Sequence, residues 1–196
     1  AAGVFEGAEG DGSSNQDDKL LYAGRVQLAL FDPEPGYYTT SSYFGAKNVF
    51  TVGLAAQSQT DGTGTLFDPG DFFGWSMDVL FEVPFGQGGA VSLEGAYYDY
   101  DHDNKMPAFG YQGDGYFALA SVLIPGKVGI GQFQPHARYQ EVNGDGPFST
   151  DLDRWEAGLG YVIDGQNAKV IFTYGQDDPQ FGGKTDFVIF GVQLQV

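Results

Sequence analysis

Large apolar side chains occupy every second position in several stretches of this chain. In residues 74–85, all the odd-numbered positions from Trp75 to Phe85 are large and apolar, and the even-numbered positions from Val188 to Val196 repeat the pattern. A period of two is typical of a β-strand with one apolar and one polar face. Strands of about ten such residues, joined alternately by short turns and long polar loops, indicate a transmembrane β-barrel.

The alternation and the turn residues together predict nine strands, at residues 19–31, 46–59, 74–85, 89–100, 115–125, 128–142, 152–163, 167–176 and 186–196. Short connections rich in Gly, Pro and Asp predict tight hairpin turns at 86–88, 125–127 and 164–166. Long acidic connections lie at 61–73, 101–114, 143–151 and 177–186. Short and long connections alternate, as they do when the two rims of a barrel face different compartments. We therefore expect an all-β, antiparallel, up-and-down transmembrane barrel.

Residues 32–45 connect the first two predicted strands on the rim that carries the short turns. Pro33 and Pro35 end the first strand, and the Tyr and Phe residues that follow are expected at the membrane interface, in an aromatic girdle. Nine strands would leave the first and the last running in the same direction. Because bacterial single-chain barrels have even strand counts, and an open edge in lipid costs several kcal/mol per unpaired group, residues 1–196 are expected to be the carboxy-terminal portion of one larger barrel domain. A second chain or symmetry copies are the alternative source of the missing wall.

A soluble barrel or sandwich would show the same alternation with its faces inverted. Three features favour the membrane interpretation: a polar face made mostly of small and amide residues, an apolar face continuous over five or six positions per strand, and the separation of long from short connections.

Composition excludes several classes of protein. A net charge of -17 with only 9 Lys and Arg argues against phosphate contacts with nucleic acid. The absence of Cys removes disulfides and thiolate metal sites, and no apolar run is long enough for a transmembrane helix. The only histidines, His102 and His136, belong to no metal or nucleophile motif, so neither catalysis nor a cofactor is expected.

The stretch LYAGRVQLALFDPEPGYYTTSSYFGAKNVFTVGLAAQSQ (residues 21–59) resembles a segment of bacterial outer-membrane porins of the phosphate-selective porin O/P type. Residues 115–140 and 187–196 agree with the same family, and the DPEPGYY segment is the distinctive part. The resemblance implies a barrel of roughly sixteen to eighteen strands, usually trimeric, through which small hydrophilic solutes diffuse across the outer membrane of a Gram-negative bacterium. Val196 departs from the Phe with which such barrels usually end.

If the apolar face meets lipid, the alternate side chains line the lumen. The predicted pore-lining residues are Arg25, Gln27, Asp78, Glu82, Glu94, Gln134, His136, Arg138, Arg154, Glu156 and Lys169. The four bases in this set either form a ladder that guides anions such as phosphate or carboxylates, or pair with Glu82, Glu94 or Glu156 and brace the wall. Pairing is the commoner arrangement.

The long connections carry two further alternatives. Residues 61–73 either fold into the lumen as a constriction, or pack at the rim with Phe72, Phe73 and Trp75 in the interface belt. The acidic loops either hold Ca²⁺, without an EF-hand consensus, or form a solvated surface that bridges lipopolysaccharide.

Function is predicted as passive diffusion through a porin, with outer-membrane lipid, lipopolysaccharide and small solutes or anions as the contacts, and a homotrimer as the assembly. A barrel that serves as a scaffold or sheath for a partner protein, without conducting, is the competing hypothesis. A soluble binding module is the third.

Overall fold

A computed structural model of the protein describes residues 1–7, 15, 17–34, 42–105, 112–145 and 150–195. Ten β-strands form in these residues: β1 (Ala2–Phe5), β2 (Leu21–Ala29), β3 (Val49–Thr65), β4 (Asp68–Phe85), β5 (Gly89–Asp101), β6 (Gly113–Leu123), β7 (Gln132–Gly144), β8 (Leu152–Asp164), β9 (Ala168–Pro179) and β10 (Thr185–Leu194). No helix with the length and hydropathy needed to cross a membrane is found in this part of the chain.

Each strand pairs antiparallel with the next, so that one sheet runs in sequence order from β1 to β10. The predicted all-β, antiparallel, up-and-down topology is confirmed. The count of nine strands is wrong, because Ala2–Phe5 pairs with Leu21–Gly24 as an additional strand too short to show alternation. With ten strands, the first and the last run in opposite directions. The odd strand count, from which a missing part of the wall was inferred, therefore does not apply. Among the described residues β1 and β10 do not pair, and closure is not observed.

The hairpin β3–β4 reaches much further than predicted. The segment 61–73 was expected to be a long loop, but its strands continue to a turn at Leu66 and Phe67, with one bulge between Gln59 and Thr63. Gly, Pro and Asp in DGTGT and DPGDFF suggested a loop, yet the backbone pairing persists through them. The connection predicted at 177–186 is shortened in the same way, because β9 extends to Pro179 and β10 begins at Thr185.

Residues 42–48, which we call the inner segment, lie against the polar face of the sheet. The backbone N–H of Gly45 donates to Glu82 on β4, while the adjacent Phe44 packs against a cluster that includes Val162 on β8. On a flat sheet these two strands lie about 19 Å apart, at 4.8 Å per strand. Neighbouring residues bridge that separation only if the sheet curls around them. The polar face is therefore concave and the apolar face convex.

The aromatic residues after Pro35 do not form the girdle predicted for them, as far as they are described. Phe44 packs on the concave side against Ala90, Leu123 and Val162, which form the buried apolar cluster of the sheet. Tyr37 and Tyr38 fall outside the described residues.

The sheet exposes more surface than a compact protein of its mass. The accessible area is 11,799 Å² for 21.1 kDa, whereas about 9,000 Å² is expected for a folded monomer of this size. No second layer of described residues covers the convex face, which accounts for the excess.

Candidate functional site

The centre of the convex face is aliphatic and exposed. Val26 is 73% exposed, Leu54 53% and Phe190 68%, and each lies mid-strand with apolar neighbours on the adjacent strands. In a soluble sheet these side chains would be the core, because burial of such residues drives folding in water. A contiguous apolar surface this large marks contact with a membrane or with another protein.

Aromatic side chains flank this aliphatic band on both sides. Toward the long hairpins, three ring pairs cross neighbouring strands with centroids 5.2–6.0 Å apart: Trp75–Tyr97, Tyr116–Tyr139 and Trp155–Tyr174. Toward the short turns, a second group comprises Phe31, Phe50, Phe81, Phe133 and Tyr161. Two aromatic girdles around an apolar band are characteristic of the outer surface of outer-membrane barrels.

The height of the apolar surface matches a bilayer. On the convex side of β4, apolar residues run without interruption from Phe73 to Phe85, which is about 40 Å of strand at 3.3 Å per residue. A strand tilted by about 40° covers about 30 Å along the membrane normal, the thickness of the hydrocarbon core. The convex face therefore has the dimensions of a lipid-facing surface.

Beyond the girdle near the long hairpins, the convex face becomes acidic. Asp99 pairs in register with Asp114, and Glu141 with Asp153. The hydroxyls of Tyr116 and Tyr139 both donate to Glu141, at 2.9 and 3.2 Å. In the described part of the chain no group of three or more acidic or histidine side chains is placed to hold a metal ion. This acidic rim, next to a tyrosine belt, is the surface that we predicted to meet lipopolysaccharide.

All eleven residues predicted to line a pore lie on the concave face, because the register keeps them on the side opposite the exposed apolar residues. Lys169 adjoins Gln193 and Val162 on this face, and Gln134 donates to Ser121 at 3.2 Å. Whether this face lines a pore is part of the proposal below.

Arg25 on β2 and Asp78 on β4 form an ion pair with two hydrogen bonds, which reaches across the intervening strand β3. The guanidinium Nη1 and Nη2 of Arg25 donate to the two carboxylate oxygens of Asp78 at 2.6 and 2.8 Å. Gly53, on the strand between them, leaves the space: a Cβ there would lie 2.3 Å from Nη2 of Arg25. A depression of about 340 Å³ opens beside this pair, with Gln27, Thr51 and Glu94 among its walls.

Arg154 is neutralised in a similar way. Its Nη2 donates to Asp177 at 2.7 Å and its Nε donates to the other carboxylate oxygen. The guanidinium also stacks on the ring of Phe187, 4.9 Å from the centroid, beside Gly175. Arg154 is on β8 and Phe187 on β10, so this contact also reaches across an intervening strand.

His136 and Thr173 repeat the arrangement between β7 and β9. The imidazole Nε2 and the hydroxyl of Thr173 are 3.0 Å apart in a hydrogen bond that passes over Gly158. On the concave face, three side-chain contacts thus connect strands that are not adjacent. Each of them lies over a glycine on the strand between.

The other charged residues predicted to line a pore, apart from Glu82, form no such close ion pair with any described residue. Arg138 lies over the Phe117 ring at 4.9 Å, and its buried Nε has no hydrogen-bond partner among the residues that the structure describes. Glu94 and Glu156 lie in the same cross-strand row, on either side of it, with Glu156 directly opposite in register. Lys169 donates to Gln166 at 3.1 Å and lies 5.7 Å from the centroid of Phe44.

Glu82 is on the concave face, as predicted, but it does not face water. Its carboxylate is fully buried under the inner segment. It accepts hydrogen bonds from the hydroxyls of Ser42 and Ser92 and from the backbone N–H groups of Tyr43 and Gly45. Glu82 therefore anchors the inner segment.

The two histidines lie in separate places. His102 is buried beyond the end of β5, with its Nδ1 3.3 Å from the hydroxyl of Thr63 and its ring edge-on to Phe72. Phe72 therefore packs on the concave side, while Phe73 and Trp75 occupy the convex side, as their parity requires. Of the three aromatics predicted for the interface belt, Phe72 is the exception.

His102 should make the tip of the β3–β4 hairpin sensitive to acid. Burial lowers the pKa of His102 below its ordinary 6.5, although Asp101 opposes this. The unfolded state then binds more protons as the pH falls through 6.5, so the stabilisation present at neutral pH is lost in acid. Hydrogen exchange of the Thr63 and Phe72 amides, corrected for intrinsic rates, should speed up between pH ~7.5 and ~5.5. In His102→Gln the corrected rates should not change; an equal change in both proteins would contradict this role.

Asp177, Gly53 and the inner segment were not recognised as functional from the sequence. Asp177 lies in a predicted loop, although residues equidistant from the midpoint between Gly165 and Gln166 pair across that turn, which places Asp177 opposite Arg154. The role of Gly53 carries no local signal, because it depends on side chains from the strands on either side.

Comparison with known proteins identifies no relative: no family model matches the sequence, and neither curated proteins nor solved structures gave a match. The similarity to phosphate-selective porins therefore rests on the residues quoted above, and it enters the proposal as a prediction.

Proposed function

We propose that this chain forms part of the wall of an outer-membrane β-barrel porin in a Gram-negative bacterium. Small hydrophilic solutes would diffuse passively through its water-filled lumen. Its convex face would contact lipid, its acidic rim lipopolysaccharide, and its concave face the solutes. A trimer, and a total of roughly sixteen to eighteen strands, are what the porin resemblance predicts for the assembly.

The observation that carries this proposal is the inverted polarity of the sheet. Side chains such as Val26 and Phe190 are exposed on the convex face, while Arg25, Asp78, Arg154 and their neighbours fill the concave face. Two aromatic girdles around an exposed aliphatic band are not a feature of soluble sheets, whereas they are characteristic of the outer surface of a barrel in lipid.

Single-channel recording tests the proposal. Purified protein, refolded in detergent and added to a planar lipid bilayer, should produce stepwise, ohmic current increments. Protein heated to unfold it before addition is the control. Folded protein that inserts into vesicles without producing current would refute the porin. Protein that is monodisperse in buffer without detergent would refute the membrane assignment.

A non-conducting sheath around a partner protein is the second candidate. It is favoured by one observation, the inner segment, which already occupies part of the concave face between β4 and β9. The same recording separates the two functions, because a filled barrel inserts but carries no steady current.

The concave charges do not support a strong preference for anions. Among the described residues, the four predicted bases share the concave side with at least six carboxylates: Glu34, Asp78, Glu82, Glu94, Glu156 and Asp177. Two of the bases, Arg25 and Arg154, are already held in ion pairs. The anion ladder is therefore not part of this proposal.

Changing the number of concave charges should shift ion selectivity in a predictable direction. A unit charge about 10 Å from an ion's path changes its energy by about 0.4 kcal/mol in water, which is roughly twofold in permeability. We expect Arg138→Ala to raise the cation-to-anion permeability ratio about fourfold, because cation permeability rises and anion permeability falls by this factor. Glu156→Gln, directly opposite in register, should lower it. Reversal potentials in a salt gradient measure both, and equal potentials in both variants and the wild type would exclude these residues from the ion path.

A further inference from the structure

We propose that the inner segment is a fixed constriction, with Glu82 as its anchor and Phe44 as its obstructing side chain, and that it sets the size limit for solutes. This inference rests on the proposed function, because a size limit has meaning only for a conducting barrel. It adds a specificity-determining element that was not expected from the sequence.

Glu82 holds the inner segment firmly on the sheet. Both oxygens of the Glu82 carboxylate accept hydrogen bonds, four in all, at 2.7–3.1 Å, and the side chain is fully buried. Hydrogen bonds to a charged group contribute more than neutral ones, and a buried carboxylate stripped of its donors is costly. The inner segment therefore stays on the sheet, since releasing it would leave Glu82 without three of these donors.

The inner segment extends from this anchor toward the opposite part of the curved sheet. Phe44 packs on Ala90, Leu123 and Val162. At the far side, Gln166 donates to the backbone carbonyl of Ser42 at 3.0 Å. Strands β4 to β9 thus surround the inner segment, and the concave space at the short-turn end is occupied by it.

The backbone of the inner segment is shaped for this position. Gly45 has a φ of +78°, and a Cβ at that residue would lie 3.1 Å from the carbonyl oxygen of Gly89. Glycine adopts this conformation without strain and allows the close approach to β5. The contact with the sheet is therefore specific to this sequence.

Vesicle swelling with neutral sugars of increasing size tests the constriction without interference from charge. Phe44→Ala should admit larger sugars and raise single-channel conductance roughly 1.5- to 2-fold, while the bulkier Phe44→Trp should lower both. Glu82→Gln should resemble Phe44→Ala, because an amide nitrogen cannot accept from the donors that the carboxylate holds. Glu141→Gln is the matched control, a carboxylate on the convex face and therefore on the opposite side of the sheet from the inner segment, and it should leave the sugar limit unchanged.

Each outcome decides the matter. A conducting wild type with the same sugar limit and conductance in all the Phe44 and Glu82 variants overturns the constriction and leaves the porin intact. A silent wild type with a conducting Phe44→Ala overturns the size limit, because the inner segment then closes the barrel completely, and it refutes the porin in favour of a non-conducting barrel. If folded wild type and variants all insert and none conducts, the proposed function fails and the size limit fails with it. A variant that does not fold is recognised by lost β-sheet circular dichroism, and the opposite shift in Phe44→Trp then carries the test.

Discussion

Replacing Leu54 by Arg should make folding into a bilayer less favourable by about 2–4 kcal/mol. This is the cost of an arginine on the lipid face near the membrane midplane. Leu54 lies in the middle of β3 on the convex face, between Val26 and Met77 on the adjacent strands, and is 53% exposed. In a soluble protein an exposed leucine is replaced by arginine at little cost. The substitution therefore distinguishes the two environments by its sign and size. Urea titration of folding into lipid vesicles measures it.

Gln27→Arg is the matched control for this experiment. Gln27 lies on β2, one strand away, but on the concave face, directly opposite Gly53. An arginine there stays in water near Asp78, so a change within about 0.5 kcal/mol is expected. Equal costs for the two variants would mean that both faces have the same surroundings, and the lipid assignment would fall.

Replacing Gly158 by Ala should destabilise the sheet by about 1–3 kcal/mol through overpacking. A Cβ at Gly158 would lie 2.3 Å from the backbone carbonyl oxygen of Phe172 on the next strand, and 2.5 Å from Nε2 of His136. The backbone of β9 moves only by distorting its pairing with β8. The His136–Thr173 hydrogen bond, which passes over this glycine, should be lost as well.

Gly53→Ala is the comparison that isolates the cause. Its Cβ would also meet atoms at 2.3 and 2.6 Å, but these are the ends of the Arg25 and Asp78 side chains, which can rotate away. The loss is then at most a partly exposed ion pair, about 0–1 kcal/mol. Chemical unfolding of both variants under one set of conditions should rank Gly158→Ala as the more damaging. The reverse ranking would show that the ion pair, rather than backbone contact, dominates.

The architecture follows from the sequence wherever one face of a strand is apolar. Strands β5, β6 and β8 begin and end within two residues of their predicted limits, because alternation and tight turns fix them together. Ala2–Phe5 was missed because four residues cannot display a period. The β3–β4 hairpin was underestimated, because Gly, Pro and Asp favour turns as isolated residues but are tolerated where two long strands hold each other.

The sequence predicts which side chains lie on the concave face, but not which of them form ion pairs with one another. Parity alone assigns Arg25, Arg138 and Arg154 to the same side, and the structure agrees. The expected pairing of bases with Glu82, Glu94 or Glu156 is wrong for Arg25 and Arg154, whose partners are Asp78 and Asp177. Contacts that skip a strand depend on curvature, and curvature has no signature in a single strand.

The glycines under those strand-skipping contacts have a mechanical consequence. Side chains on alternate strands meet only because nothing projects between them, and each such contact pulls the inner surface of the sheet together. A row of larger residues at Gly53, Gly158 and Gly175 would act as a wedge and enlarge the radius of the wall. The curvature of the sheet is therefore adjustable at positions that now carry no side chain, and in the proposed barrel this offers protein engineers a means of widening the lumen.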